Sequence, residues 1–141
     1  MMGRIEFRMW RGKTFVDLPD ILSVITLHDR IWRIFFFHGM GIAPKGMTMQ
    51  EFEKLCRTTG YSMEWEELKQ FAENIKQTWD CLVVASSPDD KRTRQEFLDS
   101  DFAETDLVIE GFDSSTWTVR SNDQALLQKL SVKFGATPST G

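Results

Sequence analysis

The residues able to carry chemistry form three groups. The first is an acid-only stretch. Between Arg94 and Arg120 stand Glu96, Asp99, Asp101, Glu104, Asp106, Glu110 and Asp113, with no base among them. Carboxylates this close repel one another, a cost that solvation tolerates or a basic partner recovers. No Asp-x-Asp-x-Asp-Gly loop is present, so no metal is assigned to the run. It reads as a solvated face or as a partner-binding surface, with Phe102 and Trp10 as apolar anchors for the second.

The second group is glycine-rich: Gly39, Gly41, Lys45 and Gly46. It follows an apolar run and precedes a helix start, the setting in which backbone N–H groups meet a phosphate. Pro44 follows where a dinucleotide fingerprint carries its third glycine, and Lys45 precedes Gly46, so Gly-Lys-Ser/Thr is absent. The segment is a candidate phosphate or nucleotide loop for a small enzyme or sensor. Its plainer reading is an ordinary connection or an edge bulge.

The third group is Cys81 with His38, a thiolate–imidazole pair if their strands are neighbours. Against it, cysteine is commonly buried as a small apolar residue. Cys56 falls on an apolar helix face. The assignment is therefore no catalytic residue and no enzyme. Two cysteines make no disulfide framework, and two scattered histidines make no typical zinc set. No cofactor is expected.

The elements that must position these groups follow from periodicity. Arg4 to Trp10 alternates charged and apolar residues, as a half-buried strand does. Thr14 to Val16 suggests a short return strand. Asp17-Leu18-Pro19 opens a short helix, with proline in the first turn. Ile31 to Phe37 is apolar on both faces and predicts a strand buried on both sides. Thr48-Met49-Gln50-Glu51 matches the capping box and starts a helix over 49–58.

Ser62 is the candidate cap of a helix over 63–77, whose stripe is Trp65, Leu68, Ala72, Ile75 and Trp79. Cys81 to Ala85 predicts a strand and Lys91 to Leu98 a short helix. Strands over 106–112 and 116–120 flank the turn Asp113-Ser114-Ser115. A last helix over 124–134 ends at Gly135. Residues 136–141 are small and polar, and a disordered tail is expected. Packing accounts for Trp65 and Trp79 on the helix stripe and for Trp32 and Trp117 in strands. Trp10, beside a turn, is the indole expected to be partly exposed.

The 141 residues have the size of one domain, and such a domain buries roughly 70% of the surface its unfolded chain exposes. With 41% apolar residues, 11 Phe and 5 Trp, general disorder is excluded. Helices and strands mix without regular alternation. This predicts a single α+β domain over 1–135, with a mostly antiparallel or mixed sheet packed by amphipathic helices.

No apolar run is long enough to span a membrane, the N-terminus carries Arg4, Glu6 and Arg8, and Asn-x-Ser/Thr is absent. The cytoplasm is the expected location, with no membrane association. Net charge is −4, unevenly spread: residues 1–46 carry 7 bases and 4 acids, a net of +3, and residues 47–141 carry 10 and 17, a net of −7. A pI near 5.2 argues against nucleic acid and suits a basic partner.

The stretch Ile109-Glu110-Gly111-Phe112-Asp113-Ser114-Ser115-Thr116-Trp117-Thr118-Val119, followed by Ser121-Asn122-Asp123-Gln124 at the head of a terminal helix, resembles the small α/β immunity proteins that bacteria make against their own toxins. The resemblance covers about a fifth of the chain. It implies a stoichiometric inhibitor, often acidic, that covers the active site of a basic toxin such as a nuclease. The acidic run and the anchors Trp10 and Phe102 are then the expected contact residues. A secretion chaperone, another kind of small acidic α/β protein and usually dimeric, is the remaining alternative.

Overall fold

The computed structural model describes residues 2–138. Strand β1 (Gly3–Arg8) leads into a two-stranded ribbon of β2 (Trp10–Arg11) and β3 (Thr14–Phe15). Helix α1 (Leu18–Leu22) follows, then β4 (Ile31–Gly41), a 3-10 turn over Pro44–Gly46, α2 (Met49–Thr58), β5 (Tyr61–Met63) and α3 (Trp65–Glu73). The chain continues through β6 (Ile75–Ser86), α4 (Arg94–Asp99), β7 (Leu107–Phe112), β8 (Thr116–Ser121), α5 (Gln124–Phe134) and β9 (Thr137–Pro138). The main sheet has seven strands in the order β5-β4-β6-β7-β8-β1-β9, and every pairing in it is antiparallel. The fold is α+β. Among the described residues, no helix is long and apolar enough to cross a membrane.

The helix starts are written locally. Thr48 accepts from the Glu51 N–H while the Glu51 carboxylate accepts from the Thr48 N–H. Thr93 and Glu96 repeat this capping box at α4. Asp17 caps α1 and also takes the hydroxyl of buried Thr78 at 2.7 Å. That hydroxyl, unpaired, would cost about 1–3 kcal/mol. The contact ties the helix to the first part of β6.

Strand alternation divides the core between two faces. On the inner face, Trp32, Ile34, Phe37, Cys81, Val83, Ile109, Trp117 and Val119 pack under α1, α2, α3 and α5. Two indoles lie fully buried there, and each donates to a carbonyl: Trp117 Nε1 to Val16 at 2.8 Å and Trp32 Nε1 to Leu27 at 3.2 Å. On the outer face a smaller cluster joins Phe35, Val84 and Val108 to Phe97 of α4 and Phe102 of its trailing turn.

Four expectations need correction. The helix over 63–77 is shorter. Met63 pairs with Trp32 in β5, Glu64 rather than Ser62 occupies the cap, and the helix stops at Asn74. Ile75 and Trp79 belong to β6, whose pairing along nearly the whole of β4 outweighs their helical spacing. Strand β4 runs on through Gly41, where the sequence suggested a loop. Helix α4 begins at Arg94, after its cap Thr93, rather than at Lys91. Disorder is expected from residue 136, but Thr137 and Pro138 pair with Glu6 and Ile5. Residues 139–141 lie outside the described residues.

Candidate functional site

The acidic run lies along α4, its trailing turn and β7. Asp101, Phe102 and Glu104 all have left-handed φ, at 50°, 60° and 61°. A non-glycine residue holds that conformation only when its surroundings fix it. Here Phe102 is driven inward: it is 8% exposed, it donates its N–H to the Phe97 carbonyl at 2.9 Å, and the Arg120 guanidinium lies 5.2 Å over its ring. Phe102 is thus a core residue rather than the exposed anchor expected from its position. Asp101 and Glu104, on either side of it, are exposed.

The seven carboxylates are not equally available. Asp106 binds Arg30 at 2.8 Å and Asp101 meets Arg120 at 3.3 Å. Glu96 is spent on its capping box, and Asp99 accepts from Gln95 at 2.8 Å. Among the described residues, the carboxylates of Glu104, Glu110 and Asp113 have no ion pair. Asp113 and Ser114 both have positive φ, at 50° and 57°, and Ser115 donates to the Phe112 carbonyl. Three residues thus separate the paired Phe112 and Thr116, and two of them take the positive φ that tight hairpin turns favour. The Asp113 N–H also donates to Asp80 Oδ1 at 2.8 Å, so Asp80 fixes the turn.

Register shows what surrounds Glu110. One outer-face row runs Phe36, Leu82, Glu110, Thr118 and Glu6 across β4, β6, β7, β8 and β1. The row on its Phe112 side holds His38 and Asp80, then Phe112, Thr116 and Arg8. The row on its Val108 side, Arg33, Val84, Val108, Arg120 and Arg4, is the one that α4 and its turn overlie. Phe112 is 65% exposed, Met40 48% and Phe36 39%. The outer face therefore presents aromatic and acidic side chains together.

Sequence reasoning did not single these apolar residues out. Phe36 sat in a run read as buried on both sides. The signal was present at Phe112: it shares the alternation of Glu110, hence the polar face of its strand.

The other candidates are separated or differently employed. Gly39 and Gly41 pair with Thr78 and Ile75 where β4 and β6 shift register. A Cβ on Gly39 would collide with the Gln77 carbonyl oxygen. One on Gly41, at φ +149°, would sit 2.5 Å from that of Asn74. Close approach of β6 accounts for both glycines. Lys45 and Gly46 lie beyond them in the 3-10 turn, with Lys45 Nζ 5.9 Å over the Tyr61 ring.

His38 and Cys81 do stand on neighbouring strands, but Cys81 faces Phe37 in the inner core while His38 pairs with Asp80 outside, at 3.6 Å. Burial pushes the Cys81 thiol up, and the Cys56 thiol up to about 12. Neither is poised as a nucleophile at neutral pH. Trp10, 46% exposed and tilted against the Phe15 ring at 4.9 Å, lines an open cleft of about 820 Å³ with Arg8, Arg11 and Phe134. None of the acidic run lines that cleft. Among the described residues, no group of three metal-ligating side chains converges.

No family model matches the chain, and no curated protein and no solved structure is matched by it.

Proposed function

We propose that the chain is a stoichiometric binding protein of the immunity type, which neutralises a basic toxin domain by covering part of its surface. The observation that carries this reading is a set of exposed carboxylates without an ion pair among the described residues: Glu110 on the outer sheet face, Glu104 in the turn after α4 and Asp113 in the hairpin turn. Carboxylates left without internal partners keep their full field for an approaching cation, and such fields raise association rates more than they raise affinity.

The test is co-expression with any basic toxin-like protein encoded beside this gene, followed by stopped-flow association of the purified pair. A 1:1 complex is expected, with an association rate that falls by tenfold or more between low and high salt. Glu104→Lys with Glu110→Lys should slow association by about the same factor at low salt. An association rate indifferent to salt and to both reversals would reject the acidic-surface reading.

A further inference from the structure

We infer that the two open rows of the outer sheet face, centred on Phe36, Leu82, Glu110 and Phe112, are a docking surface. Its occupant is a segment of a basic partner protein in which lysine or arginine alternates with apolar residues. This rests on the proposed reading that the partner is a basic protein, and adds where it sits and which apolar side chains hold it.

Three observations carry it. First, the exposed apolar side chains are not scattered. Leu82, half-buried against the edge of the outer cluster, lies directly across from exposed Phe36 and from Glu110, and Phe112 is two residues along from Glu110. Diagonal neighbours on a sheet stand roughly 7–8 Å apart, so these groups form one patch over three adjacent strands. Phe112, at 65% exposure, has its largest surface still to bury. Single exposed apolar residues are ordinary, whereas contiguous ones mark an interaction site.

Second, the charge on the open rows has one dominant sign. Glu6, Asp80 and Glu110 stand against Arg8 alone, with Asp113 at the adjoining turn. Asp80 is partly engaged by His38 and the Asp113 N–H, whereas Glu110, between the aromatics, has no ion pair among the described residues. A cation between two apolar groups on the partner would meet Glu110 between Leu82 and Phe112.

Third, area and charge disfavour a second copy of this chain. Two rows across five strands cover on the order of 300 Å², from strand spacings of about 4.8 Å. A stable interface needs about 800 Å² per partner. Two copies facing each other here would also set Glu110 and Glu6 against like charges. A larger basic partner can extend over the neighbouring turn, where Glu104 is exposed and has no ion pair among the described residues.

The test uses the ¹⁵N-labelled full chain and a blocked Lys-Leu alternating heptapeptide as probe, with its Glu-Leu counterpart as control. With the basic probe, amide shifts are expected at Phe36, Leu82, Glu110, Phe112 and Thr118. They should weaken at 0.3 M salt and be absent with the acidic peptide. Glu110→Lys and Phe112→Ser, each at an exposed position and each checked for an unchanged amide spectrum elsewhere, should weaken binding at least tenfold. Shifts confined to residues 99–104 and untouched by those variants would overturn the docking face while leaving the basic-partner reading standing. Equal response to both peptides would overturn the role of charge. Concentration-dependent shifts without peptide would assign the face to a second copy. Silence with the basic probe at millimolar concentration would overturn the docking face, and the basic-partner reading would then stand or fall on the salt dependence of the purified pair.

Discussion

A thiol's chemistry is set by where its strand or helix turns it. Cys56 is fully buried, and its thiol is pushed up to about 12 by desolvation first and by the nearby Glu53 carboxylate second. Burial likewise raises Cys81. The unfolded chain releases these protons near pH 8.5, whereas the folded chain keeps them. Protons held more tightly by the folded state stabilise it below the unfolded pKa. That advantage is lost as pH rises, by up to about 1.4 kcal/mol per pH unit for each thiol. The urea midpoint should therefore be flat from pH 6.5 to 8 and fall between pH 9 and 10.5. Replacing both cysteines by alanine should flatten that alkaline fall. A wild-type midpoint unchanged up to pH 10.5 would mean that the thiols ionise within the fold. The pairing of Cys81 with His38 illustrates a limit at the same scale. Sequence places both residues in strands, and even their adjacency is met. Only the register, with Phe37 opposite Cys81 and Asp80 opposite His38, shows that they face apart.

Helix α4 is a short element with an outsized task, because it and its turn supply the cover of the outer cluster. Its anchor Phe97 is fully buried, with the guanidinium groups of Arg92 at 4.2 Å and Arg33 at 5.3 Å from its ring centre. Arg92 hydrogen-bonds Asp90 at 2.7 Å and holds that carboxyl below its usual range. Arg94 Nε donates to the Phe35 carbonyl at 3.0 Å. The inner core does not depend on any of these contacts. Phe97→Ala should thus cost about 3–5 kcal/mol locally, and the loss should be confined to one layer. Hydrogen exchange should speed up across residues 94–105 while β6 and β8 stay protected. Uniform deprotection of the sheet would show that the layers melt as one. Local signals made α4 legible in the sequence but not its true start at the Thr93–Glu96 capping box, and they made α2 with its own capping box, α5 and the 107–121 hairpin legible too. They failed at Ile75 and Trp79, where a helical stripe continued in sequence although β4 required a partner of its own length. The open face stayed hidden for a related reason. Whether Phe36 is buried depends on how far α4 reaches across the sheet, and no local pattern encodes that.

The sheet joins its first strand to its last two. Strand β1 lies between β8 and β9, so residues 3–8 pair with residues 116–121 and with Thr137 and Pro138. Phe7 stacks on Phe134 at 5.0 Å, which fixes α5 against the first strand, and the Met9 N–H donates to the Ser115 carbonyl. Contacts this distant in sequence form only after a long loop is closed, so folding on the slow, millisecond-to-second side is expected. Removing the Phe7 ring should therefore act unlike removing Phe97. Both are buried phenylalanines of equal size, and both substitutions should cost about 3–5 kcal/mol. Yet Phe7 belongs to the continuous inner core that unites α1, α2, α3 and α5 with the sheet. Phe7→Ala should shift a single cooperative urea transition to lower denaturant, with far-UV and near-UV circular dichroism moving together. Exchange should then accelerate in β4, β6 and α5 alike. Two separated transitions, or loss of protection only in β1 and β9, would mean that the terminal strands dock onto a sheet already stable without them.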